Sequence, residues 1–240
     1  GLCYIAAAVR DSGHDVVILD AEAERLDMAQ TVSRIMQFSP AVVGVSCLSA
    51  NVVSAHSIIK RLRQVDPYVI CVAGGPYVTA VPNEILDEFP SFNILVIGEG
   101  EVTFVDLINT LSHRVSFQQV KGLAFKDSGG KVFTPRRERI KNLDELPPPA
   151  YDLLPKLKTH YWPYFNNIQG YPAFSIIVSR GCPHQCRFCD RSVFGNTFTK
   201  HSPKFVVDLI ERMVKVHGIK YLVFDDVNLL LDGDYLMEIM

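Results

Sequence analysis

From residue 14 to about residue 112, short apolar runs alternate with amphipathic stretches. The runs "HDVVILD" (14–20), "AVVGVSCL" (41–48), "YVICVAGG" (68–75) and "NILVIGEG" (93–100) predict strands. Between them, 28–38, "NVVSAHSIIKRLRQVD" (51–66, with Asn51 as N-cap), "NEILDEF" and "EVTFVDLINTLS" predict helices. Strands that are apolar on both faces belong to a parallel sheet covered on both sides. The βα alternation therefore predicts an α/β fold with an open, doubly wound, flavodoxin-like or Rossmann-like sheet. Ligands of such sheets lie at the carboxyl ends of the strands, here Asp20, "SCLS", "AGGPY" and "GEGE".

Two short runs around "DSGG" predict a hairpin over 120–137, and "LPPPAYDLLP" predicts a stiff, extended joint. Beyond it, "AFSIIVSRGC" reads as a strand feeding a loop. "SPKFVVDLIERMVKVHG" (202–218) reads as a helix capped by Ser202, with Pro203 at its start and Gly218 at its end, and "IKYLVFDD" (219–226) as a further parallel strand. The expected division is 1–140 for the first domain, 141–170 for the linker and 171–240 for the start of a second βα domain. The opening "GLCYIAAAVRDSG" reads as a helix that lacks its preceding strand, and "YLMEIM" stops inside a helix pattern. The expectation is a fragment open at both ends.

The chain has 240 residues, 48% of them hydrophobic, and a net charge of −2. That balance points away from nucleic acid as a partner, and no apolar run reaches the roughly 18 residues of a membrane span. With no secretory signal, the six cysteines point to a reducing, cytoplasmic setting and not to three disulfides.

Three of those cysteines, Cys182, Cys186 and Cys189, follow the spacing C-x3-C-x2-C in "SRGCPHQCRFCD". Structural zinc takes four ligands, normally as two separated pairs. His184 lies inside the C-x3-C loop and His201 lies twelve residues past Cys189, so neither makes that pattern. A disulfide leaves one thiol over. Three thiolates on an iron–sulfur cubane leave one iron open, the logic of a catalytic metal site.

At these residues the chain resembles the radical S-adenosylmethionine superfamily, with Phe188 in the aromatic position before the last cysteine. The resemblance implies a 4Fe–4S cluster on Cys182, Cys186 and Cys189 whose open iron chelates S-adenosylmethionine. One electron then yields a 5′-deoxyadenosyl radical. It also implies an electron donor such as flavodoxin or ferredoxin, a small-molecule substrate, and the first βα units of a truncated TIM-like partial barrel. Phe188 is the implied neighbour of the adenine. Where many members carry Gly-Gly-Glu, this chain has "FDDVN", so Asp225, Asp226 or Asn228 is the implied holder of the methionine amino group.

The wider resemblance, through "AGGPYVT", "VIGEGEVTF", "LPPPAYDLLP" and "SRGCPHQCRFC", is to radical enzymes with an N-terminal cobalamin-binding domain. Ser46-Cys47-Leu48 and Gly74-Gly75 match the S-x-L and Gly-Gly elements of such domains, with 25 residues between. Ser46, Leu48, Gly74, Gly75, Pro76, Gly98, Glu99 and Gly100 are then the implied cobalamin contacts. Glycine lets backbone approach a cofactor closely, and Ser46 offers a hydroxyl to a ring nitrogen. No D-x-H-x-x-G is visible, which implies cobalt without a protein histidine; His14 reads as a surface residue.

The implied function is methylation, cyclisation or rearrangement of an unactivated substrate, with the substrate-reading residues beyond Met240 and this piece by itself inactive. Two other readings stand beside it. A methylthiotransferase would carry a second cluster on Cys3, Cys47 and Cys71, although Cys71 falls in mid-strand. A non-catalytic cobalamin or redox sensor would need no open iron.

Overall fold

The structure is a computed structural model that describes residues 1–113, 115–161 and 172–240. The first unit contains α1 (Leu2–Asp11), α2 (Met28–Gln37), β1 (Val42–Ser46), α3 (Val52–Val65), β2 (Ile70–Gly74) and α4 (Pro76–Ala80). It continues through α5 (Pro82–Glu88), β3 (Ile94–Val96), α6 (Gly100–Ser112), β4 (Leu123–Asp127) and β5 (Gly130–Phe133). The sheet runs in the order β1-β2-β3-β4-β5. The first three strands are parallel, and the hairpin β4–β5 extends them antiparallel.

Alternation along each strand divides the apolar residues between two cores. Cys71, Ala73 and Leu95 face α2, α3, α4 and α5, where Ile59, Leu62 and Ile85 are fully buried. Val72, Ile94, Val96, Leu123 and Phe125 face Leu107 and Phe104 of α6. Both faces are therefore covered, as the near-continuous apolar strands predicted. At the start of α2, Asp27 accepts from the Gln30 amide at 2.8 Å and the Gln30 side chain accepts from the Asp27 amide at 2.9 Å, a reciprocal cap.

The expected strand over 14–20 does not form. Those residues join no ladder among the described residues; Val16 and Ile18 pack on Ala6, Ala7 and Ala150 instead. An apolar run reports burial, and burial here comes from helix α1 and the joint, not from a neighbouring strand. Asn51 also departs from expectation. Its side chain makes no helix-cap bond and instead accepts from the Leu48 amide at 2.8 Å.

The second unit contains α7 (Leu157–His160), β6 (Ala173–Ile176), β7 (Ser179–Arg180), β8 (Thr199–Lys200), α8 (Pro203–Lys215), β9 (Tyr221–Phe224) and α9 (Gly233–Ile239). β6 and β9 pair in parallel around α8, the expected βαβ unit, and Ser202 caps α8 by accepting from the Phe205 amide at 3.2 Å. No closed barrel forms from the described residues. The strand expected to run from 173 into the cysteines is broken after Ile176. Ser179 and Arg180 leave it to pair antiparallel with Lys200 and Thr199.

The proline-rich joint is not a free tether. Leu143, Leu146, Ala150, Tyr151 and Leu157 are all buried, and the Ala150 amide donates to the Cys3 carbonyl at 3.0 Å. Residues 162–170 of the expected linker lie outside the described residues. The joint contributes Asp144, open to solvent, to a relay between the units that is buried at His201 and Tyr4. His201 Nδ1 lies 2.9 Å from Asp144 Oδ1, and His201 Nε2 lies 3.1 Å from the Tyr4 hydroxyl on α1. A neutral imidazole protonated on Nδ1 satisfies both, donating to Asp144 and accepting from Tyr4.

Burial pushes the His201 pKa down, against the opposing pull of Asp144. The folded state thus binds the proton less well than the unfolded chain, whose histidine titrates near about 6.5. Stability should be fully present above about pH 6.5 and should fall as the pH drops below it toward the folded pKa. Asp144 is itself held low: burial opposes this, but hydrogen bonds from Ser202 and His201 prevail, so its contribution is lost only at more acidic pH. Urea unfolding between pH 7.5 and 5 should show this loss, and His201→Gln should flatten it.

Candidate cofactor seam

The carboxyl ends of β1 and β2 meet closely. The Cys47 amide donates to the Gly74 carbonyl at 2.8 Å, and the Tyr77 amide donates to the Cys47 carbonyl at 3.2 Å. Gly75 takes φ +104°, and a Cβ there would lie 2.8 Å from the Cys47 carbonyl oxygen and 3.2 Å from Ser46 Oγ. Only glycine fits this crossing. Ser46, Leu48 and Pro76 are exposed on the rim around it, and Gly74 and Gly75 are half-buried. The structure therefore brings Ser46, Leu48, Gly74, Gly75 and Pro76 into one edge. Gly98 joins them through its amide, which donates to Thr79 Oγ1 at 3.0 Å. Gly100 lies against α1, where its Cβ position is 2.9 Å from Ile5 Cδ1.

Glu99 faces the second unit. Its carboxylate accepts from Arg180 Nη1 at 2.8 Å and from the Ile140 amide at 2.9 Å, with Arg139 Nε at 3.5 Å. Glu101 accepts from Arg180 Nη2 at 2.7 Å. The side chains of Arg180, Glu99 and Glu101 are 8%, 5% and 6% exposed. The guanidinium also lies 5.2 Å from the centre of the Tyr4 ring. Burial works against the charge on Arg180, but Glu101 and Glu99 outweigh it and raise its pKa.

Immediately after Arg180 the chain leaves on the cysteine loop, and it returns at Thr199. Gly181, at φ +82°, sits at the narrowest point: a Cβ there would fall on the Thr197 carbonyl oxygen. Arg139 holds the returning stem, donating to the Phe194 carbonyl at 2.9 Å, the Thr197 carbonyl at 3.2 Å and Thr199 Oγ1 at 3.1 Å. A crevice of about 220 Å³ lies beside this stem, bordered by Gly98, Glu99, Arg139 and Arg191.

Cys182 is half-buried at the loop's root, and Cys186 and Cys189 are exposed. The Cys189 amide donates to the Cys186 carbonyl at 3.2 Å, which turns the chain between them. Among the described residues the three sulfurs are not gathered into a ligand set. The donor set nevertheless suits a thiophilic metal cluster: three thiols sit on one pinned loop, and such ligands are drawn together by the metal itself. His201, held on both ring nitrogens, is not available as a fourth ligand.

Phe188 stands bare on the loop at 93% exposure. Asp225 is exposed at the end of β9. Asp226 turns inward and accepts from the Ser179 hydroxyl at 2.5 Å and the Val178 amide at 3.2 Å, bracing the loop's root. Burial raises its pKa against those bonds. Asn228 Nδ2 lies 3.9 Å from Cys182 Sγ. Asp226 and Asn228 thus come to the root of the cysteine loop, while Phe188 on the loop and Asp225 at the strand end are exposed.

Cys47 and Cys71 are fully buried, Cys3 is half-buried, and burial pushes all three thiols up to about 11. Cys47 and Cys71 are packed in the core of the first sheet, whereas Cys3 packs against the core of the second unit, so the three thiols do not share one site.

Residues 1–108 match the family model for the B12 binding domain. This stretch is a B12-binding domain. The chain is 35% identical over 227 residues to an uncharacterized methyltransferase of Pyrococcus horikoshii, covering 94% of this chain and 48% of that protein. It is 27% identical over 229 residues to an anaerobic magnesium-protoporphyrin IX monomethyl ester cyclase of Cereibacter sphaeroides, covering 94% of this chain and 36% of that one. In fold it is similar to the cobalamin-dependent S-adenosylmethionine radical enzyme OxsB, solved with aqua-cobalamin and S-adenosylmethionine bound. The TM-score is 0.82 at 20% identity, over 99% of this chain and 33% of OxsB. The chain thus spans about half, or less, of the length of the relatives it matches. The resemblance read from the sequence holds: a B12-binding domain is followed by the cysteine loop, and the relatives align through both.

Sequence reasoning missed Arg139, Arg180 and the Asp144–His201–Tyr4 relay. Arg180 stood in the quoted "SRGC" and its partners in "GEGE", but no local spacing connects residues about 80 apart. Gly181→Ala should cost about 1–3 kcal/mol in backbone strain alone, with the clash on Thr197 in addition. Chemical denaturation should show the loss of stability, and iron uptake after reconstitution should fall with it.

Proposed function

We propose that the chain is the cofactor-binding part of a cobalamin-dependent radical S-adenosylmethionine enzyme that methylates, or cyclises or rearranges, an unactivated small-molecule substrate. The observation that carries this reading is the seam. A loop with three thiols and no fourth is anchored by buried charge onto the carboxyl edge of a B12-binding domain.

Cys182, Cys186 and Cys189 would hold a 4Fe–4S cluster, and Ser46, Leu48, Gly74, Gly75, Pro76 and Gly98 would line the cobalamin edge. When bound, the cluster would supply the one electron that cleaves S-adenosylmethionine into a 5′-deoxyadenosyl radical and methionine, and the cobalamin would serve as the methyl carrier. The chain's own residues bind and orient. Gly75 lets the cofactor's tail pass close to backbone, and Ser46 offers it a hydroxyl. Asp226 holds the root of the loop, and Asn228 donates toward Cys182. Phe188 and Asp225 are free to meet the adenine and the ammonium of S-adenosylmethionine. An electron donor such as flavodoxin or ferredoxin would serve the cluster. Among the described residues no helix is long and apolar enough to cross a membrane, which is consistent with a cytoplasmic place of work.

Cys47 and Cys71 packed in one core and Cys3 against another weigh against the methylthiotransferase reading, and the family of the first domain favours cobalamin over a second cluster. Anaerobic reconstitution should give about four irons per chain and one bound hydroxocobalamin. Cys186→Ala should lose the cluster and still take up one hydroxocobalamin at saturating concentration. About eight irons would favour the methylthiotransferase, and a single zinc with no iron would remove the proposal.

A further inference from the structure

Glu99 contacts the outgoing stem of the cysteine loop and faces the arginine that grips the returning one. One carboxylate oxygen takes Arg180, the last residue before Gly181-Cys182; the other faces Arg139, which grips the returning stem at Phe194, Thr197 and Thr199. Behind Glu99, Gly98 is bonded to Thr79, which lies on the helix that starts directly after the Gly75 turn. An unbroken path of covalent and hydrogen bonds therefore runs from the glycine crossing at the carboxyl edge to the first cysteine. All of its charged members are largely buried, so their geometry is held by the cost of leaving any charge unpaired.

We infer that Glu99, with Arg180, Glu101 and Arg139, is a positioning anchor through which filling the cluster site tightens binding at the cobalamin edge. The inference rests on the cofactor reading above. Cys186 and Cys189 stand exposed on a loop fixed only at its base. A metal that gathers the three sulfurs orders that loop, and the order reaches the edge through Arg180 and Glu99. The second ligand then meets an edge already held in place, and the effect is reciprocal by linkage. This assigns Glu99 a role different from direct cofactor contact: its carboxylate already accepts from Arg180 and from the Ile140 amide and is paired with the Arg139 charge.

The test is a visible-absorbance titration of hydroxocobalamin into the protein, once as apoprotein and once after anaerobic reconstitution with iron and sulfide. Reconstituted protein should bind about fivefold tighter or more, and cobalamin should protect iron from a chelator by the same factor. The variant Arg180→Met with Glu99→Gln and Glu101→Gln removes all three charges of the triad together, and Arg139 keeps its carbonyl and hydroxyl partners on the returning stem. It should take up iron normally and bring the affinity ratio to about one. Arg139→Gln leaves the triad intact and releases only the returning stem; its ratio should drop by about twofold or more, measured where an unfolding curve shows the variant folded. If the triple variant does not fold, Arg139→Gln decides alone. A wild-type ratio of one, or variants that keep the full ratio, overturns the inference. Wild-type protein that takes up no iron or no cobalamin fails earlier, at the cofactor reading, and removes this inference with it.

Discussion

The arrangement depends on one guanidinium. Arg180 is buried between Glu99 and Glu101, at 2.8 and 2.7 Å, beneath the Tyr4 ring. Such a triad adds little net stability over an apolar packing of the same volume, because desolvation offsets the Coulomb attraction. It has great power to discriminate, however. Displacing the units so as to separate the charges would leave a buried ion unpaired, at a cost of about 3–5 kcal/mol. The triad therefore selects a single docking of the second unit on the first, where a purely apolar seam would tolerate sliding.

That docking decides what the cysteine loop can do. The loop leaves at Gly181 and returns at Thr199, and the ribbon β7–β8 closes its base. Asp226 braces the outgoing stem and Arg139 the incoming one. A loop fixed at its base and exposed at its tip suits a metal that assembles its own ligand set, since binding free energy can do the final gathering. The glycines at each side of the seam serve opposite ends of the same geometry. Gly75 brings backbone against Cys47, and Gly181 brings it against Thr197, both at positive φ.

The joint between the units takes part in this rigidity. It places Leu143, Leu146 and Tyr151 in the cores and Asp144 against His201, where proline content alone had predicted a stiff spacer. Proline sets the local backbone, but it carries no information about whether neighbouring leucines find a surface to cover. A joint that is also core couples the units mechanically, in keeping with the charged anchor a few ångströms away.

By itself the sequence determined the alternation of elements, the two covered faces of the first sheet, the βαβ of the second unit, the three-thiol spacing and the Ser46–Leu48 and Gly74–Gly75 pair. Each of these is written within a few residues, because helix and strand periodicity and metal-ligand spacing are local properties. Only the tertiary structure decided that residues 14–20 join no ladder among the described residues, that Asn51 serves Leu48 and not its own helix, and that Glu99 looks toward Arg180. The first and last of these depend on surfaces that meet across about 80 residues or more, and no local pattern encodes a partner that distant; Asn51 and Leu48 are three residues apart, but the turn between them is set by the crossing of the strand ends.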